Sequence, residues 1–202
     1  MVNIKPTLLL SQIRIIGGHW RSRKLSVLNS PGLRPTMEHV RETLFNWLAP
    51  VIKDAFCLDC FAGSGALGLE ARSRGAASVT LLEKNRTISD LLLRNIVILE
   101  AQQVEIITTD SLAWLAKPGD TFDIVFIDPP FYQAMVANTI EALEHYRRLK
   151  DHAWIYIETE ITFPAPDVPI YWKLYREKIA GQVVYRLYMR HRISEKSYAA
   201  NN

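Results

Sequence analysis

Asp59-Cys60-Phe61-Ala62-Gly63-Ser64-Gly65 follows a short apolar run, and its two glycines stand where a strand would give way to a helix. Gly63 and Gly65 can adopt positive φ angles and let the backbone approach a ligand closely. The helix that follows would offer free backbone N–H groups and the positive end of its dipole to that ligand. The segment therefore predicts a cofactor-binding loop, with a strand-to-helix turn that binds nothing as the alternative.

Outward from this loop, short apolar runs alternate with segments of helical periodicity. The strand-like runs lie at 56–58, 79–83, 104–108, 124–127 and 153–157, and the helical patterns downstream of the loop include 88–99, 111–116 and 134–149. This alternation predicts an α/β fold with a mostly parallel sheet and helices on both faces. Right-handed crossovers bring the loops of interest to the carboxyl edge of such a sheet, where doubly wound folds bind ligands.

The two ends of the chain depart from this alternation. Segments 171–177 and 182–190 alternate apolar and polar residues and predict a C-terminal antiparallel hairpin, while Gly17-Gly18 lies between strand-like segments and predicts a small basic hairpin. Thr36 is placed to cap the helix that follows. We therefore expect three regions: an N-terminal extension over 1–35, a main domain over 36–192 and a tail over 193–202.

Acidic residues stand at the ends of successive predicted strands. Asp59 opens the glycine loop and suits the ammonium group of S-adenosylmethionine better than a pyrophosphate. Glu83 follows the loop by about 20 residues, where an acid accepts hydrogen bonds from ribose hydroxyls. Asp110, with Ser111, could meet the adenine amino group, and an N-cap for the short helix at Ser111 is an equal alternative for Asp110. The sequence thus predicts S-adenosylmethionine as the cofactor.

Asp128-Pro129-Pro130-Phe131, after the most hydrophobic strand, carries the predicted chemistry. The Asp128 side chain and the Pro129 carbonyl can accept both N–H groups of an exocyclic base amine and direct its lone pair at the methyl group. The prolines stiffen the loop. Phe131, with Tyr132, would offer an aromatic face to a base turned out of its stack. Positioning then supplies much of the rate, without a metal; a plain proline-rich turn is the alternative.

The net charge of +3 conceals a strong asymmetry. Residues 1–41 carry +6, residues 42–170 carry −8 and residues 171–202 carry +5. An acidic body with basic ends suggests a polyanionic partner, most simply nucleic acid, although basic termini can also serve solubility alone.

Several blocks of this sequence together resemble one family. The Asp128–Phe131 and Asp59–Gly65 loops look like those of class I, Rossmann-like methyltransferases that act on amino groups. The blocks Arg14–Gly18, Trp20–Leu25, Leu33–Thr36 and Val40–Leu48 resemble the RsmD family, bacterial 16S ribosomal RNA guanine-N2 methyltransferases. The resemblance runs from about Arg14 to about Arg190. It implies a Rossmann-like methyltransferase fold, S-adenosylmethionine as donor, and one guanine of 16S rRNA in the small ribosomal subunit or an assembly intermediate as acceptor.

The resemblance completes the set of candidate site residues. The catalytic loop would be Asp128, Pro129, Pro130 and Phe131. The cofactor would be held by Asp59, Phe61, Gly63, Ser64, Gly65, Glu83, Asp110, Ser111 and Asp128. The RNA would be held by Trp20, Arg21, Arg23, Lys24, Arg34, Thr36 and Tyr132, where Trp20 could pack or stack and the basic hairpin could instead be a solvated cationic turn. Arg41 and Glu42 could form a structural ion pair with each other, and no catalytic role is assigned to them.

Composition excludes several other classes. No apolar run approaches the roughly 20 residues of a membrane span, and no signal peptide is evident, so a cytoplasmic protein without a membrane partner is expected. Cys57 and Cys60 have no second pair, and the five histidines are scattered, so no metal site is expected. Cys60 is expected to be partly accessible, Glu158 and Glu160 to be surface acids, and the protein to be a monomer.

Three alternatives stay open at this point. A DNA adenine or cytosine amino methyltransferase would use the same loop, but the chain has no room for a target-recognition domain. An inactive methyltransferase-like module that binds nucleic acid is disfavoured because Asp128 and both loop glycines are intact. A nicotinamide dehydrogenase matches at Gly63–Gly68, a G-x-G-x-x-G string, but Asp59 at the start of the loop disfavours it and the Asp-Pro-Pro-Phe loop decides against it.

Overall fold

The structure is a computed structural model that describes residues 10–28, 36–130 and 135–191. The elements in chain order are β1 (Leu10–Arg14), β2 (Lys24–Leu28), α1 (Glu38–Leu48), β3 (Phe56–Asp59), α2 (Ala66–Ser73), β4 (Ser78–Glu83), α3 (Arg86–Leu99), β5 (Val104–Thr108), α4 (Ser111–Leu115), β6 (Phe122–Ile127), α5 (Met135–His145), β7 (Leu149–Glu160), β8 (Trp172–Ala180) and β9 (Val183–Arg190).

Seven of these strands form one sheet in the order β5-β4-β3-β6-β7-β9-β8. The pairs among β3, β4, β5, β6 and β7 are parallel, whereas β9 pairs antiparallel with both β7 and β8. This confirms the predicted α/β class, the mostly parallel sheet and the C-terminal hairpin. The chain order reverses between β3 and β6, and a crevice outside the carboxyl ends of those two strands is the usual ligand site of such sheets.

The sheet has a hydrophobic core on each face, which is why its central strands are almost continuously apolar. Along β6, Ile124 and Phe126 belong to the core that α1, α2 and α3 cover. Val125 and Ile127 belong to the other core, which α4 and α5 cover. All four of these side chains are 0% exposed. The prediction of helices on both faces is therefore confirmed.

The N-terminal hairpin of β1 and β2 is docked against the main body. Its residues Ile15 and Leu25 are buried in the first core. The Asn95 side chain of α3 accepts a hydrogen bond from the Ser26 N–H at 3.2 Å and donates one to the Ser26 carbonyl at 2.8 Å. Gly18 has a φ of +76°, and a Cβ there would lie 1.9 Å from the Ser73 carbonyl oxygen. Only glycine permits this close approach of the hairpin to α2.

The predicted helix over 134–149 is too long at its carboxyl end. α5 ends at His145, Arg147 takes a φ of +53°, and β7 already begins at Leu149. The reason lies in Arg148, which is 1% exposed. Its guanidinium donates to the carbonyls of Leu115, Trp114 and Lys117 at 3.1, 3.2 and 2.7 Å, so it satisfies the end of α4.

Two further points concern the chain as a whole. None of the helices in the described ranges is long and apolar enough to cross a membrane. The predicted region boundaries at 35/36 and 192/193 adjoin residues outside those ranges and stay predictions.

Candidate active site

The acidic residues that the sequence predicts at strand ends meet at one edge of the sheet. Asp59 is the last residue of β3, Glu83 ends β4, and Asp128 directly follows β6. Asp59 pairs with Phe126 across the β3–β6 ladder, so Asp128 lies just beyond it. The glycine loop and the Asp-Pro-Pro segment thus flank the crevice where the strand order reverses.

The glycine loop is held to the neighbouring strand by Glu83. The Gly63 N–H donates to Glu83 Oε2 at 2.9 Å, and the Asn85 N–H donates to Oε1 at 2.7 Å. Gly65 takes a φ of +75° as the N-cap of α2, and its missing Cβ would approach Leu92 Cδ2 at 2.6 Å. Each carboxylate oxygen of Glu83 has a second acceptor site, which is available to a ligand hydroxyl.

Asp59 lies beneath this loop and is 1% exposed. Its two oxygens accept hydrogen bonds from the backbone, Oδ1 from Phe61 at 3.3 Å and Oδ2 from Gly68 at 3.2 Å. Burial raises the pKa of Asp59 to about 7, against these two bonds and with a smaller contribution from Glu83. Asp59 therefore supports the loop from below, and its contact with a ligand ammonium stays a prediction.

Asp110 and Ser111 have local structural roles. Asp110 Oδ1 accepts from the N–H groups of Leu112 and Ala113, which confirms its alternative role as an N-cap. A hydrogen bond from Lys84, at 3.0 Å, and these backbone bonds lower the pKa of Asp110. The buried Ser111 hydroxyl donates to the Cys60 carbonyl. Asp110 keeps partial exposure at the sheet edge, so capping leaves it able to contact a ligand.

Asp128 stands at the rim of the crevice and is held by a residue far away in sequence. Thr36 Oγ1 donates to Asp128 Oδ2 at 2.9 Å. The expectation that Thr36 caps α1 is wrong, since Met37 occupies the N-cap position and makes no side-chain capping bond. Pro129 is buried and Pro130 exposed. The candidate stacking residues Phe131 and Tyr132, like Arg34, lie outside the described residues.

A second acid lies beside Asp128 and was not expected there. Glu158 is 7% exposed, so the prediction of a surface acid is wrong for it. Tyr156 donates its hydroxyl proton to Glu158 Oε2 at 2.7 Å. Burial, Glu158 and Asp59 together raise the pKa of Asp128 well above its usual value, while the Thr36 bond acts in the opposite direction. The surroundings of Asp128 thus favour its protonated form more than water does.

The sequence held a signal for Glu158. Parallel pairing of β6 with β7 puts Phe126 beside Tyr156 and Ile127 beside Ile157. Continuing that register brings the next two residues, Asp128 and Glu158, side by side. An acid directly follows each of the two predicted strands, 124–127 and 153–157. Parallel pairing of these strands would have indicated the pair of acids once the register was known.

Below the site, a buried ionic cluster joins the hairpin to α1 and α2. Glu70 is 0% exposed and accepts from the N–H groups of Ile16 and Gly17, both at 2.8 Å, and from Arg74 Nε at 2.7 Å. Arg41 Nη1 lies 3.6 Å from Glu70 Oε2. Arg41 thus has a structural role, but its partner is Glu70 rather than the expected Glu42.

The basic hairpin presents three of its predicted RNA contacts to solvent. Arg21, Arg23 and Lys24 are exposed, and Arg23 also donates to the Ile98 carbonyl at 2.8 Å. Trp20 is 8% exposed and belongs to the first core. Of the two roles expected for Trp20, the structure shows packing rather than an exposed stacking face.

The cysteines are structural in this conformation. Cys57 and Cys60 are free thiols and both 0% exposed, so the expected partial accessibility of Cys60 is wrong. Burial raises the pKa of both thiols, which keeps them protonated. Among the residues that the structure describes, no group of three or more His, Cys, Asp or Glu side chains is arranged to hold a metal ion.

Comparison with known proteins finds close relatives over nearly the whole chain. The family model described as conserved hypothetical protein 95 matches residues 13–189. Ribosomal RNA small subunit methyltransferase D of Escherichia coli K12 is 56% identical over 179 residues, covering 89% of this chain and 90% of that protein. The protein of the same name from Haemophilus influenzae is 49% identical, covering 88% of this chain and 93% of its own length. A solved structure, the putative methyltransferase yhhF from Escherichia coli, is 53% identical with a TM-score of 0.85, covering 90% of this chain and 99% of its own.

Proposed function

Because this chain belongs to the family of ribosomal RNA small subunit methyltransferase D, we propose that it methylates the RNA of the small ribosomal subunit. The donor is S-adenosylmethionine, and the acceptor is the exocyclic N2 amine of one guanine in 16S rRNA. The observation that carries this proposal is the position of Asp128-Pro129. It lies beside the glycine loop in the crevice between β3 and β6, with the Asp128 carboxylate held by Thr36.

The residues around the crevice fit the donor. Glu83 keeps acceptor capacity for ribose hydroxyls beside the glycine loop that it orders. Asp110 is partly exposed two residues after β5, where an adenine amino group would find an acceptor. Asp59, Phe61, Gly63, Ser64, Gly65 and Ser111 would shape the remainder of the pocket. When bound, S-adenosylmethionine supplies a methyl group activated by a positively charged sulfur.

The chain's own residues then act on the amine. A guanine N2 amine is a weak nucleophile because its lone pair is delocalised into the ring. Hydrogen bonds from its two N–H groups to Asp128 and to the Pro129 carbonyl would favour a pyramidal nitrogen and direct the lone pair. The new C–N bond would form as the bond from the methyl group to the donor sulfur breaks and leaves its electron pair on sulfur. The nitrogen then carries one proton too many, and Asp128 is the adjacent base that can accept it. Only the ionised form of Asp128 serves in both roles.

The second part of the proposal is that the hairpin of β1 and β2 binds the RNA. Arg21, Arg23 and Lys24 are exposed cations on a hairpin that is firmly docked to the body. Such side chains neutralise phosphates without reading sequence. We assign them to the RNA backbone around the target guanine. Arg34, Phe131 and Tyr132 are assigned to the RNA as well, on the strength of the sequence alone.

The test is a methyl-transfer assay on small ribosomal subunits from cells that lack this protein, with labelled S-adenosylmethionine and nucleoside analysis of the product. We expect N2-methylguanine in 16S rRNA. Label in another nucleoside of 16S rRNA would keep the substrate and overturn the assigned atom. Label only in DNA would overturn the substrate. Parallel assays on naked 16S rRNA and on assembled subunits would identify the form that the enzyme accepts.

A further inference from the structure

One hydrogen bond links the start of α1 to the proposed catalytic loop. Thr36 Oγ1 donates to Asp128 Oδ2 at 2.9 Å, although 92 positions separate the two residues in the chain. Thr36 is 7% exposed, and Asp128 is half-buried. The contact therefore joins a buried hydroxyl to the carboxylate that the proposed reaction uses.

The bond selects one orientation of that carboxylate. Rotation of an Asp carboxyl group about its last side-chain bond is loosely restrained, so its plane needs a partner to define it. Thr36 engages Oδ2, so this one contact also sets the direction of Oδ1. A hydrogen bond from a neutral hydroxyl to an ionised carboxylate is also one of the stronger kinds in proteins.

Thr36 is itself held in place by the buried Arg41. Arg41 Nε donates to the Thr36 carbonyl at 3.3 Å, and its Nη2 donates to the Arg14 carbonyl at 3.0 Å. Arg41 is 2% exposed and is paired with Glu70. The same guanidinium thus ties the Thr36 backbone to the end of β1 and to α2.

The charges around Asp128 make this hydroxyl important. Glu158 and Asp59 both act on Asp128 electrostatically, and the Tyr156 hydroxyl is directed at Glu158. Burial and these two acids favour the protonated form of Asp128 and raise its pKa, whereas the Thr36 bond stabilises the ionised form.

We infer that Thr36 is a positioning residue for methyl transfer, which orients the Asp128 carboxylate and keeps it able to accept a hydrogen bond from the substrate amine. This inference rests on the proposed function and gives Thr36 a role beyond the helix cap and the RNA contact that the sequence predicts for it. Thr36 acts through Asp128, so its removal should affect turnover more than RNA affinity.

The experiment compares Thr36→Val, which keeps the shape and removes the hydroxyl, with Thr36→Ser, which keeps the hydroxyl. For Thr36→Val we expect kcat to fall about 10- to 100-fold, as for the loss of one hydrogen bond to a charged group, with KM for RNA nearly unchanged. The acid limb of the kcat profile should move to higher pH. Thr36→Ser should retain kcat within about 3-fold, with the limb in its original place.

A matched control is Thr139→Val in α5. Thr139 is 0% exposed and donates its hydroxyl to the Met135 carbonyl at 2.8 Å. This variant loses an equally buried hydrogen bond, so it should lower stability without moving the acid limb. Equal kinetics and pH profiles for Thr36→Val and the wild type would overturn the inference, and so would a change confined to KM for RNA.

A substrate-free measurement separates this inference from the proposed function. The carboxyl carbon of Asp128, assigned by its loss in Asp128→Asn, can be titrated by ¹³C NMR in the wild type and in Thr36→Val. An upward shift of its midpoint in Thr36→Val supports the contact even if no RNA is methylated. An unchanged midpoint overturns the inference while leaving methyl transfer by the wild type to be judged separately.

Discussion

At the scale of single residues, Asp128 combines a proposed role as an ionised acceptor with surroundings that oppose its ionisation. The proposed reaction needs its ionised form, yet Asp128 lies half-buried beside two other acids. We predict that Asp128→Ala lowers the rate of methyl transfer by about 10²–10⁴-fold, the range for loss of a positioned acid or base. Calorimetry should show S-adenosylmethionine still binding with little change, since Asp128 acts mainly on the amine. A parallel loss of cofactor affinity would contradict that role.

Asp59 links the site to the stability of the fold. Its pKa is about 7 in the folded protein, against 3.8 for an unperturbed carboxyl. Between these values the folded state holds a proton that the unfolded state has lost, so the contribution of Asp59 to stability falls as pH rises through the window. Asp59→Asn cannot ionise and should lack this slope.

Urea unfolding of both proteins at several pH values from about 4 to about 7 tests this prediction. The free energy of unfolding of Asp59→Asn, relative to the wild type, should rise steadily with pH. Asp90→Asn, an exposed site on α3, is the control and should show no such trend. A difference between Asp59→Asn and wild type that stays constant with pH would show that Asp59 does not titrate in this range.

The site residues differ in how well the sequence could predict them. Glycines and acids that directly follow predicted strands can be recognised from the sequence alone. Asp59, Glu83 and Asp128 are predicted in this way, and they do meet at one edge of the sheet. Glu158 becomes recognisable only once the register of β6 and β7 is known, and Glu70 carries no signal, because a buried acid is acceptable only when distant partners satisfy it. Those partners, such as the Ile16 N–H for Glu70, are set by tertiary packing.

At the scale of elements, α2 is the piece that joins the hairpin to the body. Its Glu70 accepts two hairpin N–H groups and compensates the charges of Arg41 and Arg74. We predict that Glu70→Gln lowers the free energy of unfolding by about 3–5 kcal/mol, since it leaves buried positive charge without a counter-charge. Equilibrium urea unfolding measures this, and Glu141→Gln, an exposed acid on α5, should change it by less than about 0.5 kcal/mol. Similar small effects of both variants would show that Glu70 is replaceable by any acceptor.

The sequence predicts the bounds of a strand well where the strand itself is a continuous apolar run. β5 has the expected bounds, and β3, β4 and β6 begin or end within two residues of expectation, because strands buried on both faces are continuously apolar. β7 begins four residues before the predicted strand, at Leu149. Leu149 pairs with Phe122 of β6, and the pairing then shifts register and resumes at Trp154. The residues between, Lys150, Asp151 and His152, show no strand pattern, so this early start could not be recognised from the sequence.

At the scale of the whole molecule, charge is segregated along the chain. The segment 42–170 carries −8, while the basic ends carry +6 and +5. A polyanion is therefore repelled by the acidic body unless the ends engage it, and the hairpin of β1 and β2 carries the exposed cations Arg21, Arg23 and Lys24. The hairpin should for this reason govern the salt dependence of RNA binding.

We predict that the triple variant Arg21→Ala, Arg23→Ala, Lys24→Ala weakens RNA binding and lowers the slope of log K against log salt by about 2–3, roughly 0.7–0.9 for each phosphate that is no longer neutralised. Binding isotherms at four or five salt concentrations give this slope. The double variant Lys53→Ala, Lys117→Ala removes exposed cations elsewhere and should leave it near the wild-type value. An unaltered slope in the triple variant would exclude the hairpin from the RNA interface.

The reversal of strand order between β3 and β6 has a consequence for how the chain is made. Cys57 in β3 pairs with Ile124 in β6, the other neighbour of β6 is the later strand β7, and β7 in turn pairs with the still later strand β9. During translation the central strand therefore emerges well before its partner, and a chain stalled ahead of β6 exposes an unpaired apolar edge. Topologies dominated by such distant pairings fold slowly. Nascent chains of this protein should accordingly depend on protection against aggregation until the last strands have left the ribosome.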